Sequence, residues 1–281
     1  MRQDPTGEPF PMAQARSIPI LPRSVNSIFL LLCMLAAVRP LFVTAAASAQ
    51  SWKPVSGHLS TRWAKDVLAE APLPEYPRPQ MVRTQWQSLN GLWNYALTPG
   101  DASAPPDTFA GTILVPYPYE SALSGVGGQS IPNQRLWYRR SFTIPDAWTG
   151  QRVVLHFGAV NWDSSIFLNG QRIGAHRGGF DSFDFDVTSA LKPGRNELIV
   201  SAYNPIQVDT EDAQVVGKQR VHPKDIFYTG STGIWQSVWL EPLPAAHISG
   251  LKLVPDIDAH SVRVTVSAEA AAGSLTRNAI G

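Results

Sequence analysis

The 281-residue sequence holds a single cysteine, Cys33. No intramolecular disulfide can form, and no cysteine-based zinc cluster. Charge is scarce as well: Asp, Glu, Lys and Arg make up 16% of the chain, and the formal net charge is +1. A strongly basic face for nucleic acid is therefore excluded. No apolar run reaches the roughly 20 residues of a membrane-spanning helix. The length leaves no room for a TIM barrel of about 250 residues beside the other elements visible here. What is abundant is Trp (nine), Pro (24) and Gly (21), within a chain that is 44% hydrophobic. That composition excludes disorder and points to a turn-rich β protein with aromatic layers.

Residues 1–49 read as a secretory signal. Arg16 and Arg23 precede an apolar run over 28–38, and small residues lead to Ala47-Ser48-Ala49-Gln50. Ala47 and Ala49 fit a signal-peptidase site, so cleavage is expected after Ala49. Cys33 lies inside this segment, and bulky Leu32 before it argues against a lipid attachment site. The expected location is periplasmic or secreted. Residues 1–49 hold four arginines and two acids, so the remaining chain is close to neutral.

Residues 50–80 form a Pro-rich extended segment laid over a domain surface, with one short helical turn expected within 60–68. The run Pro72-Leu73-Pro74-Glu75-Tyr76-Pro77-Arg78-Pro79 can be neither helix nor central strand. From about residue 85 the pattern becomes strand, turn, strand. Runs at 92–97, 136–144, 152–157, 165–168, 171–174, 183–187, 197–203 and 234–240 supply seven or eight short strands. Val153, Leu155 and Phe157 share one face, and Phe183, Phe185 and Val187 alternate with Asp184 and Asp186. Asn169-Gly170 between two such runs is a strong hairpin signal. The pattern predicts an all-β jelly-roll sandwich over 81–243. A boundary is expected at Glu241-Pro242-Leu243-Pro244. Beyond it only two more strands are legible, at 248–254 and 261–267, and two strands are too few for a stable domain.

Eight short motifs occur in a fixed order: Asn90-Gly91-Leu92-Trp93, Val115-Pro116-Tyr117-Pro118, Leu136-Trp137-Tyr138-Arg139-Arg140, Phe167-Leu168-Asn169-Gly170, Gly178-Gly179-Phe180, Phe185-Asp186-Val187-Thr188, Asn196-Glu197-Leu198, and Thr232-Gly233-Ile234-Trp235-Gln236-Ser237-Val238-Trp239-Leu240. Together they resemble the N-terminal sugar-binding, galactose-binding-like sandwich of glycoside hydrolase family 2, over residues 76–243. The family groups β-galactosidases, β-glucuronidases and β-mannosidases. The resemblance implies an immunoglobulin-like domain next, whose start would be residues 246–281. It then implies a catalytic TIM barrel carrying two glutamates, absent from this sequence. Retaining hydrolysis needs two carboxyl groups about 5–5.5 Å apart, and no acidic pair here suits that role.

In the family a loop before the last strand sends an aspartate to the edge of the active site, six residues before the Gly-Ile of that strand. Here that position is Phe227, with Asp225 two residues earlier. An asparagine that some β-galactosidases use corresponds here to Leu114. The loop 209–228 also carries Glu211, Asp212, Lys218, Gln219 and Tyr228. Acids accept from hydroxyls, Lys and Gln donate, and a ring covers C–H groups, so such a loop can grip a polyol. It can equally serve to pack on a neighbouring domain. The candidate substrate-binding residues are Asp225, Tyr228, Lys218 and Gln219; no catalytic residue, metal or cofactor is expected. Trp93, Trp137, Trp162, Trp235 and Trp239 could serve as sugar platforms, but most sit in alternating runs, so core packing is the favoured expectation. His156 and His176 read as isolated. Asp181, Asp184 and Asp186 lack a full calcium ligand set.

The expected function is the sugar-binding part of a secreted hydrolase of β-linked O-glycosides, with carbohydrate as partner, neither nucleic acid nor, after cleavage, membrane, and a barrel in cis. The alternative is a stand-alone carbohydrate-binding module.

Overall fold

The computed structural model describes residues 52–109, 111–206 and 214–270, and the backbone of 273–280. The expected signal segment lies outside the described residues, as do Asp209, Glu211 and Asp212.

Alternating apolar residues build two facing sheets. The strands in chain order begin with β1 (Gln87–Ser88), β2 (Gly91–Pro99), β3 (Gly111–Val115), β4 (Gln134–Thr143) and β5 (Arg152–Phe157). A short β6 (Val160–Asn161) comes next, then the hairpin β7 (Asp163–Leu168) and β8 (Gln171–Arg177), β9 (Phe183–Asp186) and β10 (Arg195–Tyr203). The loop region carries β11 (Gln219–Arg220), β12 (Tyr228–Thr229) and β13 (Gly233–Ile234), and β14 (Val238–Leu243) closes the sandwich. The six-stranded order is β3-β2-β4-β10-β7-β8 and the four-stranded order is β1-β14-β5-β9. All pairings within both sheets are antiparallel. Asn169-Gly170 joins β7 to β8 as expected, both at positive φ.

Period two decides the core. Val153, Leu155 and Phe157 of β5 meet Leu136 and Tyr138 of β4, Leu198, Val200 and Ala202 of β10, and Val238 and Leu240 of β14 in one buried cluster. Trp137, though buried, points to the outer face of the larger sheet, where it tilts against Phe167 at 6.1 Å and donates to Thr98 Oγ1.

The last sandwich strand runs three residues further than the sequence suggested, through Glu241, Pro242 and Leu243. Pro242 survives there because β1 pairs only with Trp239 and Leu240. Beyond Leu240 that side of β14 has no ladder, so no strand bond is lost to the missing N–H.

The segment before the sandwich is extended, with short 3₁₀ turns at Ala64–Asp66 and Pro79–Met81. It is tied down at Val55, whose N–H donates to Ala122 O, and at Pro72, whose carbonyl accepts from Asn90 Nδ2. After the sandwich come β15 (His247–Asp256), β16 (Ser261–Ala270) and β17 (Gly273–Ile280), an antiparallel three-stranded sheet. Residues 268–281 were expected to hold no strand; β17 corrects that. Its polar, β-neutral sequence carries little propensity, and pairing to β16 over eight residue pairs makes it a strand. Among the described residues no helix is long and apolar enough to cross a membrane.

Candidate functional site

The segment 214–232 rises from the sandwich between β10 and β13, and its base is gripped by buried polar side chains. Gly230 N–H donates to Ser130 Oγ (3.2 Å) and Ser231 N–H to Gln219 Oε1 (2.8 Å). Thr232 donates twice to Glu120, from its N–H (2.8 Å) and its hydroxyl (2.6 Å). Asn161 Nδ2 donates to Ser231 O at 2.7 Å, and Asn204 Nδ2 to Thr232 Oγ1 at 3.2 Å. Glu120, Asn161, Asn204 and Thr232 are all buried. Three consecutive residues are thus held from several separate segments. Sequence reading did not find Glu120, Asn161 or Asn204, because a buried polar residue looks like an exposed one until its partner is known.

Above this base β11 and β12 pair in parallel, Gln219 with Tyr228 and Arg220 with Thr229. Of the four residues expected to contact sugar, Asp225 sits at the loop tip, exposed and at φ +55°, with its carboxylate unpartnered among the described residues. Tyr228 is 67% exposed. Lys218 is exposed, and its carbonyl accepts from Tyr228 N–H at 2.9 Å. Gln219 is committed inward: Nε2 donates to Val216 O at 3.0 Å while Oε1 receives Ser231 N–H. Phe227, at the position of the family aspartate, lies half-buried under the Arg220 guanidinium, 4.2 Å from its centroid.

Lys218, Gln219 and Tyr228 come together in a cleft of about 310 Å³, lined also by Asn161, Phe180, Val216, Gly217, Ser231 and Trp235. Asp225 does not line it. Trp93, Trp137 and Trp239 are buried as expected, whereas Trp162 and Trp235 are half-buried, and Trp235 faces the cleft.

A second polar cluster lies where the sandwich meets the three-stranded sheet. Glu241, fully buried, accepts from Tyr76 OH (2.6 Å), Arg78 (2.6 Å) and Trp239 Nε1 (2.6 Å), with Arg83 Nε and His156 Nε2 each 3.5 Å away. His156 is therefore not isolated: it is 6% exposed and stacks on Trp239 at 4.9 Å. Burial alone would raise the Glu241 pKa, but the His156 imidazole, the Tyr76 hydroxyl and the Trp239 indole outweigh it and hold the carboxyl well below the usual range. Burial, then hydrogen bonding to Glu241, pushes the Tyr76 hydroxyl up to about 12. The charged groups of this cluster face one another within the chain, which makes it a clamp. The acidic run beside β9 is likewise divided. Asp181 faces His176 (3.4 Å), Asp184 faces His156 (3.7 Å), and Asp186 pairs with Arg152 (2.9 Å). Among the described residues no group of three or more metal-ligating side chains converges.

The sandwich and its gripped loop define a galactose-binding-like β domain. Residues 121–233 match the family model described as glycosyl hydrolase 2 galactose-binding domain-like. This part of the chain is thus similar to the galactose-binding-like domain of the family 2 glycoside hydrolases. A putative β-glucuronidase of Formosa agariphila is 33% identical over 117 residues, 42% of this chain and 13% of that protein. A β-galactosidase of Thermoanaerobacter pseudethanolicus is 32% identical over 120 residues, 43% of this chain and 15% of that protein. The solved β-glucuronidase of Faecalibacterium prausnitzii superposes with a TM-score of 0.55 at 26% identity, covering 74% of this chain and 42% of that one. The chain thus spans only a small part of the curated relatives and less than half of the solved one.

Proposed function

We propose that this chain supplies the carbohydrate-contacting front of a secreted or periplasmic family 2 glycoside hydrolase that cleaves β-linked O-glycosides. The signal-like residues 1–49 support export, and the β15–β17 sheet is read as the start of an immunoglobulin-like domain leading to a barrel in cis. The observation that carries the reading is the loop 214–232: its base is fixed by Glu120, Asn161 and Ser130, while its outer part presents Asp225 and Tyr228 to solvent. A rigid base under exposed polar and aromatic groups is what a sugar-contacting edge requires. Catalysis belongs to two closely spaced carboxyl groups, and in this reading those lie on the barrel.

The 281-residue chain, incubated with nitrophenyl β-galactoside, β-glucuronide and β-mannoside, should turn over none of them. Turnover abolished by a point substitution within this chain would overturn the reading. Tyr228→Ala should weaken sugar binding about threefold to tenfold, the loss of one aromatic contact worth about 0.5–1.5 kcal/mol. Asp225→Ala should weaken it as well. A stand-alone carbohydrate-binding module is the second reading, favoured by a cleft whose lining is complete within the sandwich and its loop. Measurable sugar binding by residues 50–245 alone would support it.

A further inference from the structure

We propose that the cleft between Phe180, Trp235 and Tyr228 is a binding site for a pyranoside bearing an anionic substituent, either a carboxylate or a sulfate. The inference rests on the carbohydrate reading above and assigns a place and a charge to the ligand.

Three observations carry it. The first is aromatic surface left in water: Phe180 is 56% and Tyr228 67% exposed. The Trp235 indole lines the same cleft and is tied in place. Its Nε1 donates to Gly179 O at 2.7 Å, and Phe180 meets it edge-on at 6.0 Å. A held indole in a cleft that also presents two exposed rings offers a sugar C–H face contact at reduced ordering cost. At about 310 Å³ the cleft is at the small end for a ligand site, suited to one ring.

The second is an acceptor without a donor. Asn161 is 1% exposed and lines the cleft. Its Nδ2 faces two acceptors, Ser231 O and Gln219 Oε1, which settles the orientation of the amide. Its Oδ1 is left buried with no hydrogen-bond partner. Such an atom is satisfied when a ligand hydroxyl donates to it.

The third is charge. Among the described residues, Lys218 is the only group with a full charge in the lining, and no described Asp or Glu lines it. Among the described residues no carboxylate pairs with its ammonium. A neutral sugar filling the cleft desolvates that ammonium without return, while an anionic substituent pairs with it.

Calorimetric titration of the full chain with methyl β-D-galactoside, methyl β-D-glucuronide and methyl β-D-galactoside 6-sulfate tests this. At low ionic strength at least one anionic probe should bind about fivefold or more tighter than the neutral one. The preference should shrink at high salt and vanish in Lys218→Gln. Which probe wins identifies the source of the anion. Phe180→Ala should weaken all three, and both substitutions lie at exposed positions, so thermal melts should be unchanged. Equal binding of neutral and anionic probes, or a preference that survives Lys218→Gln, overturns the proposal. Sugar binding unaffected by Phe180→Ala places the site elsewhere and overturns it while sparing the carbohydrate reading. If none of the three binds at about 10 mM, a free energy weaker than roughly −3 kcal/mol, the carbohydrate reading falls with it.

Discussion

Glu241 has no contact with solvent, yet against the cost of burial the His156 imidazole, the Tyr76 hydroxyl and the Trp239 indole hold it ionised, with Arg78 as its close countercharge. Its folded pKa is lowered from an unfolded value of about 4.3. The stability it contributes is therefore fully present above that value and is lost as pH falls through the folded pKa. Replacing it by Gln leaves Arg78 without its countercharge and should cost about 3 kcal/mol at neutral pH. Denaturant unfolding at a series of pH values should show Glu241→Gln flattening the acid loss of stability relative to the parent. Tyr76→Phe removes one hydrogen bond to a charged group and should cost about 1.5–3 kcal/mol. Nothing in the sequence marked this cluster. Its members lie at 76, 78, 156, 239 and 241, and Glu241 stands in a Pro-rich run that reads as a boundary. Only the pairing of β14 with β5, which sets Trp239 opposite His156, brings them together.

At the scale of elements, period-two runs were legible wherever one face is buried. β5, β7, β10 and β14 placed their apolar residues on the core side as their alternation required. Two kinds of element escaped: β3, whose buried Ile113, Leu114 and Val115 run consecutively without alternation, and elements held by pairing alone. β17 has little strand propensity, and β11, β12 and β13 are two-residue pieces set by the polar grip on residues 230–232. Gln219 illustrates the same limit. It was a candidate ligand contact by residue type, and its amide instead ties Val216 to Ser231. β13 makes a sharp test. Gly233 has φ +93°, and a Cβ there would collide with the Tyr138 hydroxyl. That hydroxyl accepts from Ile234 N–H at 3.1 Å, and burial raises its pKa further above the ordinary tyrosine value. Gly233→Ala should therefore destabilise by about 2 kcal/mol or more, combining strain with overpacking. Tyr138→Phe leaves a buried N–H without an acceptor and should cost about 1–3 kcal/mol. Chemical denaturation of both variants checks these values.

At the scale of the molecule, two kinds of contact join the sandwich to the three-stranded sheet. The exposed pair Arg152–Glu269, at 3.0 Å with each side chain 45% exposed, is the weaker kind. Arg152→Ala should change the stability of the full chain by about 1 kcal/mol or less, as exposed ion pairs do. Arg83, whose guanidinium reaches both Ile248 O and the edge of the Glu241 cluster, is the stronger kind. Arg83→Ala should destabilise more than Arg152→Ala, and thermal melts compared side by side decide it.

The 165 positions between Tyr76 and Glu241 also set an order of events. At about 5–20 residues per second, a ribosome needs roughly 8–33 s to deliver the carboxylate after the hydroxyl that will donate to it. Through that interval Tyr76 and Arg78 have no counterpart, and the groove they will close cannot exist. The contacts of Val55 with Ala122 and of Pro72 with Asn90 can form early, so this early-made segment docks in two stages, its Tyr76–Arg78 end closing only once the final sandwich strand is in place.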